Sequence, residues 1–200
     1  TWIPADSPPA VKDGIAPTGY CSLHVPRRPD APHPRGGGLA LIHRSDLHIT
    51  PHPLSATIQP FSSFELQLVK LSSVTLPVTI ANVYRPPSMS LNVFLDEFGT
   101  FLAILTSAGD DRLILCGDVN APSTVQSAVH PDLTELLSTH DLAQFVPSPT
   151  RGNNLLDVFI TTQQSSPASI RVDDAGCISD HRLIVASASV SCTSNANRAS

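Results

Sequence analysis

Three short acidic motifs follow one another along this chain, each at the end of an apolar run of strand length. Gly117-Asp118-Val119-Asn120 follows Leu113–Cys116, Leu155-Leu156-Asp157 opens a run through Thr161, and Ser179-Asp180-His181 precedes Leu183–Val190. The tips of neighbouring strands lie along one rim of a sheet, so this pattern constrains the chain to gather its acidic tips. Three Asp, one Asn and one His on one rim combine hard oxygen donors with an imidazole. That donor set suits divalent-metal chemistry on phosphate esters.

The rest of the chain supplies a sheet and helices to carry such a rim. Gly36-Gly37-Gly38 leads into the apolar run Leu39–Ile42, Phe64–Leu71 alternates as a half-buried strand, and Val78–Tyr84 is a further strand ended by Arg85-Pro86-Pro87. Between them the period changes. Leu91, Phe94, Leu95, Phe98, Phe101, Leu102 and Leu105 recur at helical spacing behind Ser90, a good N-cap residue. Asp132–Ser138 reads as a second helix after Pro131. Residues 1–35 are rich in proline and are expected to form a long irregular surface loop. Residues 191–200, rich in Ser and Asn, are expected to be a disordered tail or linker. Strands mixed with helices around one core predict a layered α/β domain over residues 1–190.

Bulk properties narrow the function. A chain of 200 residues, 41% hydrophobic, is long enough for one domain with a sizeable core. A net charge of −5 argues against holding nucleic acid by bulk electrostatics. It leaves a nuclease open, because a bound cation neutralises the carboxylates of its own site. Cys21, Cys116, Cys177 and Cys192 are scattered without a paired motif, which suits buried or bystander thiols rather than a disulfide framework. No apolar run reaches membrane-spanning length, and the opening residues show no signal-peptide pattern. His43, His48 and His52 lie among prolines that deny them a helix, so they are expected as solvated loop histidines. Glu65 is expected on the polar face of its strand.

Hydrolysis of a phosphodiester needs an in-line water, neutralised phosphoryl oxygens and help for the leaving oxygen. Asp118, fixed after a strand and a glycine, suits a carboxylate that orients or deprotonates water. Asn120 can offer its amide to a phosphate oxygen without adding negative charge. His181 can donate to charge developing on a non-bridging oxygen, Asp157 can hold that imidazole, and Asp180 is placed for the metal side. In isolation each motif has a plainer explanation, such as an Asp-x-Asn turn bonding its own backbone. Their joint order carries the argument.

With Asn82-Val83-Tyr84 added upstream, these motifs together resemble the endonuclease/exonuclease/phosphatase superfamily. Within it, Asn82–Pro87, Pro147–Thr150 before Leu156-Asp157, and the opening Thr1-Trp2-Ile3 resemble the endonuclease of non-LTR (LINE-type) retrotransposons. The resemblance implies a DNase I-like two-sheet α/β sandwich flanked by helices, with Mg²⁺ or Mn²⁺ at the sheet rim. It implies that Tyr84 contacts the scissile phosphate, Asp118 activates water beside Asn120, and Asp157 partners the catalytic His181. Asp180, Asp118 and Asn120 would stand on the metal side. Two departures are visible. Pro87 stands where many relatives carry an Asn. The family's principal metal-binding Glu is expected just upstream of Thr1, so the chain reads as cut at that edge, without its first strands.

The leading expectation is a nuclear, Mg²⁺-dependent endonuclease that nicks DNA and leaves a 3′-hydroxyl for a reverse-transcriptase domain downstream. Binding to duplex DNA should be weak and sensitive to salt, through local arginines such as Arg27, Arg28, Arg85 and Arg151. Two alternatives compete with it: a phosphatase of the same superfamily acting on lipid or inositol phosphates, and a decayed fragment without activity.

Overall fold

The structure, a computed structural model, describes residues 8, 11, 14–27, 38–56, 58, 60–72, 76–107, 112–125, 127–177 and 179–188. In chain order the elements are β1 (Tyr20–Val25), β2 (Leu39–Arg44), β3 (Ile49–Pro51), β4 (Glu65–Leu71), β5 (Val78–Tyr84) and α1 (Leu91–Ser107). They continue with β6 (Leu113–Asp118), α2 (Pro131–Ser138), β7 (Leu142–Gln144), β8 (Asp157–Thr162), β9 (Ser169–Asp173) and β10 (Leu183–Ser187).

A six-stranded sheet in the order β3-β4-β5-β6-β8-β7 forms the centre. Among the described residues only β5 and β6 run parallel, and the crossover that a parallel pair requires is α1. Alternation along the strands separates two faces. Leu68, Ala81, Leu115 and Ile160 stand opposite one another across β4, β5, β6 and β8. This row meets the apolar stripe of α1, in which Phe94, Phe98, Phe101, Leu102 and Leu105 are buried. Phe64 meets the stacked pair Phe94 and Phe98 edge-on, with ring centroids 5.6 and 5.9 Å away. Helix α2 adds the buried Leu133 and Leu137 to the same core.

The opposite face carries polar rows. Gln67, Asn82, Cys116 and Phe159 are in register across the four strands, and one step beyond lie Glu65, Tyr84, Asp118 and Asp157. Two antiparallel hairpins form the second layer, β1 with β2 and β9 with β10. The first lies against β4 and β5, where Gln67 Nε2 donates to Leu23 O at 2.8 Å. From the second, Ile170, Val172 and Ile184 pack against the core. The architecture is the expected two-sheet α/β sandwich flanked by helices, with the second sheet as two separate strand pairs among the described residues.

Strand β1 corrects the expectation that residues 1–35 are irregular. Its two faces are only partly covered, so it lacks the continuous apolar run of a core strand, and pairing with β2 holds it in place. His52 corrects another expectation. It is 5% exposed, and its Nδ1 accepts from Leu54 N at 3.2 Å. The expected tail at 191–200 lies outside the described residues. No helix among the described residues is long and apolar enough to cross a membrane.

Candidate active site

The tips of β5, β6 and β8 place Tyr84, Asp118 and Asp157 side by side, because Tyr84 pairs in register with Asp118 and Asp118 with Asp157. Close approach of β5 and β6 requires Gly117. It has φ +132°, and a Cβ there would lie 1.9 Å from Val83 O. Facing this row, His181 brings its Nδ1 to 2.7 Å from Asp157 Oδ2. Ligand atoms of Asp118, Asp157 and His181 all fall within 4.8 Å of one another.

Thr150 joins two of the motifs. Its buried Oγ1 accepts from the N–H groups of Leu156 and Asp157, both at 3.1 Å, and its carbonyl accepts from Arg182 N at 2.7 Å. The turn into β8 and the loop bearing His181 are therefore fixed to one residue. Ser179 Oγ accepts from His181 N at 3.0 Å and tightens that loop further.

Asn120 holds Asp118 by both oxygens. Its backbone N–H donates to Oδ1 at 3.0 Å and its Nδ2 to Oδ2 at 2.9 Å, while Nδ2 also donates to Arg85 O at 2.8 Å. Both amide hydrogens are thus engaged inside the protein, and the amide donor expected for a phosphate is already occupied. Asn120 adopts φ +44°, a left-handed conformation that Asn tolerates better than most residues.

Arg85 completes the lock from behind. The residue after Tyr84 must point to the opposite face of the sheet. There its Nη1 donates to Val119 O and Asn120 O at 3.2 and 2.6 Å, its Nη2 bonds Met89 O, and the guanidinium lies 5.7 Å from the Phe94 ring centre. Arg85 is 5% exposed. Burial lowers its pKa, opposed by the charge of Asp118. Expected as a surface cation for DNA, it is instead part of the interior. Alternation past Tyr84 was the available sequence signal for this.

Burial and then the charge of Asp157 push the Asp118 carboxyl up to about 6, against the hydrogen bonds of Asn120 and the nearby His181. Two carboxylates pressed together beside an imidazole, with lone pairs left on each, fit a divalent cation, which would relieve that repulsion. Asp180 stands outside this cluster. It is exposed, and its Oδ2 pairs with Arg151 Nη2 at 2.6 Å. Burial also pushes the Cys116 thiol, one step down β6, up to about 11.

Comparison with known proteins follows the same lines. No curated protein matches the chain. Among solved structures, the endonuclease domain of TRAS1, a telomere-specific non-LTR retrotransposon, superposes with a TM-score of 0.65 at 19% identity, covering 85% of this chain and 80% of that one. The human Nocturnin catalytic domain gives 0.58 at 20% identity, covering 86% and 73%. A mannosyl-6-phosphatase of Bacteroides thetaiotaomicron gives 0.57 at 12% identity, covering 86% and 78%. At these identities the likeness establishes a shared fold. The family model described as endonuclease-reverse transcriptase matches residues 78–185, more than half of the chain, from β5 to β10. With fold and motifs in agreement, the chain belongs to the endonuclease-reverse transcriptase family, within the endonuclease/exonuclease/phosphatase superfamily.

Proposed function

We propose that this domain is a metal-dependent DNA-nicking endonuclease of the non-LTR retrotransposon kind, and that Asp118, Asn120, Asp157, His181 and Tyr84 carry the reaction. The observation that supports this best is the row Tyr84–Asp118–Asp157 on three adjacent strands, with His181 bonded to its far end.

The scissile phosphate lies against this row, with Tyr84 on its phosphoryl oxygens. Asp118, fixed by Asn120, orients the attacking water and takes its proton. The water oxygen bonds to phosphorus as the P–O3′ bond breaks in line, leaving a 5′-phosphate, and the 3′-oxygen takes a proton from solvent. His181, with Nδ1 committed to Asp157, turns its other ring nitrogen to the non-bridging oxygen that gains charge. Asp118 and Asp157 would hold Mg²⁺ or Mn²⁺, which supplies charge neutralisation at the phosphate when bound, and Asp180 would join them only on leaving Arg151. The 3′-hydroxyl would serve a reverse-transcriptase domain of the same polyprotein on nuclear DNA.

The test compares supercoiled plasmid with a soluble phosphomonoester, in Mg²⁺, Mn²⁺ and EDTA. Metal-dependent conversion of plasmid to the open-circular form, lost in Asp118→Ala, is expected. Preferential release of phosphate from the monoester would make the chain a phosphatase, and inactivity on both would make it a catalytically inactive fragment.

A further inference from the structure

Glu65 heads β4 directly opposite Tyr84, at the near end of the acidic row. Its two carboxylate oxygens are both engaged: Oε1 pairs with Arg27 Nε, and Oε2 accepts from Gly38 N at 2.9 Å. The Arg27 and Glu65 side chains are 13% and 14% exposed. Arg27 then lays its guanidinium over the Tyr84 ring, 5.5 Å from the centroid. A carboxylate on the sheet face thus holds a cation against the face of one particular aromatic ring. A Glu already committed to Arg27 and a backbone N–H is a poor metal ligand.

Arg27 and Glu65 could merely pin the β1–β2 hairpin to the sheet. Two features point further. The ring that Arg27 covers is the one in register with Asp118, and a guanidinium over its face attracts it by cation–π interaction. Also, the residue holding Arg27 is the cross-strand partner of that same ring. We propose that Arg27 is a positioning residue for Tyr84, held in place by Glu65, and that it sets where the phenol hydroxyl meets the scissile phosphate. This role rests on the nuclease assignment above.

A ring displaced by about 1 Å at a reacting centre costs up to roughly a hundredfold in rate. Arg27→Ala should therefore lower kcat for plasmid nicking by about ten- to a hundredfold with KM little changed, and Arg27→Lys should recover part of it. In a Tyr84→Phe background, Arg27→Ala should add almost nothing, since both act through one hydroxyl. The chain has only Tyr20 and Tyr84. Ring-labelled tyrosine NMR, assigned with Tyr20→Phe, should show the Tyr84 signal shifting in Arg27→Ala while Tyr20 stays in place. Should Arg27→Ala destabilise the fold, the double variant Arg27→Met with Glu65→Gln removes both charges together and should still lose kcat at unchanged melting temperature. Additive effects in the cycle, a change confined to KM, or an unmoved Tyr84 signal would overturn the proposal alone. Absence of nicking by the unsubstituted chain would overturn it together with the nuclease assignment.

Discussion

His181 and Asp157 meet at 2.7 Å, close enough that each depends on the other for its geometry. Removing the imidazole should cost about a hundred- to a thousandfold in kcat, roughly 3–4 kcal/mol, as loss of one preorganised oxyanion donor does. Asp157→Asn should come close to that loss, because a misdirected ring cannot donate, and the double variant should be little worse than either single one. Single-turnover nicking of the three variants measures this; multiplicative losses would show the two residues acting separately. Gly117 sets a different constraint. With a Cβ 1.9 Å from Val83 O at φ +132°, Gly117→Ala should lose about 3 kcal/mol or more, read by urea unfolding. The participants in this row were legible as residue types at the ends of strands. So were the pairings of Asp157 with His181 and of Asp118 with Asn120, but the supporting contacts from Thr150 and Arg27 were not. Nothing in the order of residues ties Thr150 to Asp157 or Arg27 to Tyr84, since both links depend on where remote segments return to the sheet.

Elements were legible where packing and pattern agree. Strand β5 runs from Val78 to Tyr84 as its apolar run predicts, and α1 extends two residues past its last core leucine. Strands β1, β3, β7 and β9 went unread because they are short or half-exposed, and cross-strand pairing rather than an apolar face defines them. A further link ties α1 to the approach to β4. Glu97 accepts from the N–H and hydroxyl groups of Ser62 and Ser63, at 2.6 to 3.0 Å. Burial works to raise its carboxyl, but those hydrogen bonds, Ser63 foremost, outweigh it and hold the group at about 2. Because the folded value lies below the ordinary 4.5, this stabilisation is present above that pH and is lost as pH falls toward about 2. The shift alone corresponds to about 3 kcal/mol, and screening at a partly exposed site reduces it to about 1. Glu97→Gln should thus be less stable than the parent at neutral pH, and the gap should close on acidification. Urea midpoints from pH 7 down to 2.5 measure it; a gap independent of pH would place the effect in packing rather than charge.

On the scale of the whole molecule, charge decides how the proposed nuclease would meet DNA. The net charge is −5, and the arginines that the sequence offered for phosphate contact are largely spoken for. Arg85 is buried, Arg27 pairs with Glu65, and Arg151 pairs with Asp180, while Arg28 lies outside the described residues. Arg44 and Arg171 pair with Asp46 and Asp173. Each phosphate contact from such a cation must first replace a carboxylate, so few counterions are displaced on binding. With about two phosphates neutralised, the slope of log K against log salt is about −1.8, and affinity falls roughly tenfold between 50 and 200 mM. The duplex alone should therefore bind no tighter than micromolar at physiological salt, and a divalent cation in the site should tighten it by removing repulsion between Asp118, Asp157 and the phosphate. Asp180→Asn, by releasing Arg151, should steepen the slope by about 1. Fluorescence anisotropy with a labelled duplex across a salt series, with Ca²⁺ and with EDTA, resolves each part. Nanomolar binding that persists at high salt would require a basic surface beyond these residues, and an unchanged slope in Asp180→Asn would leave Arg151 out of the interface.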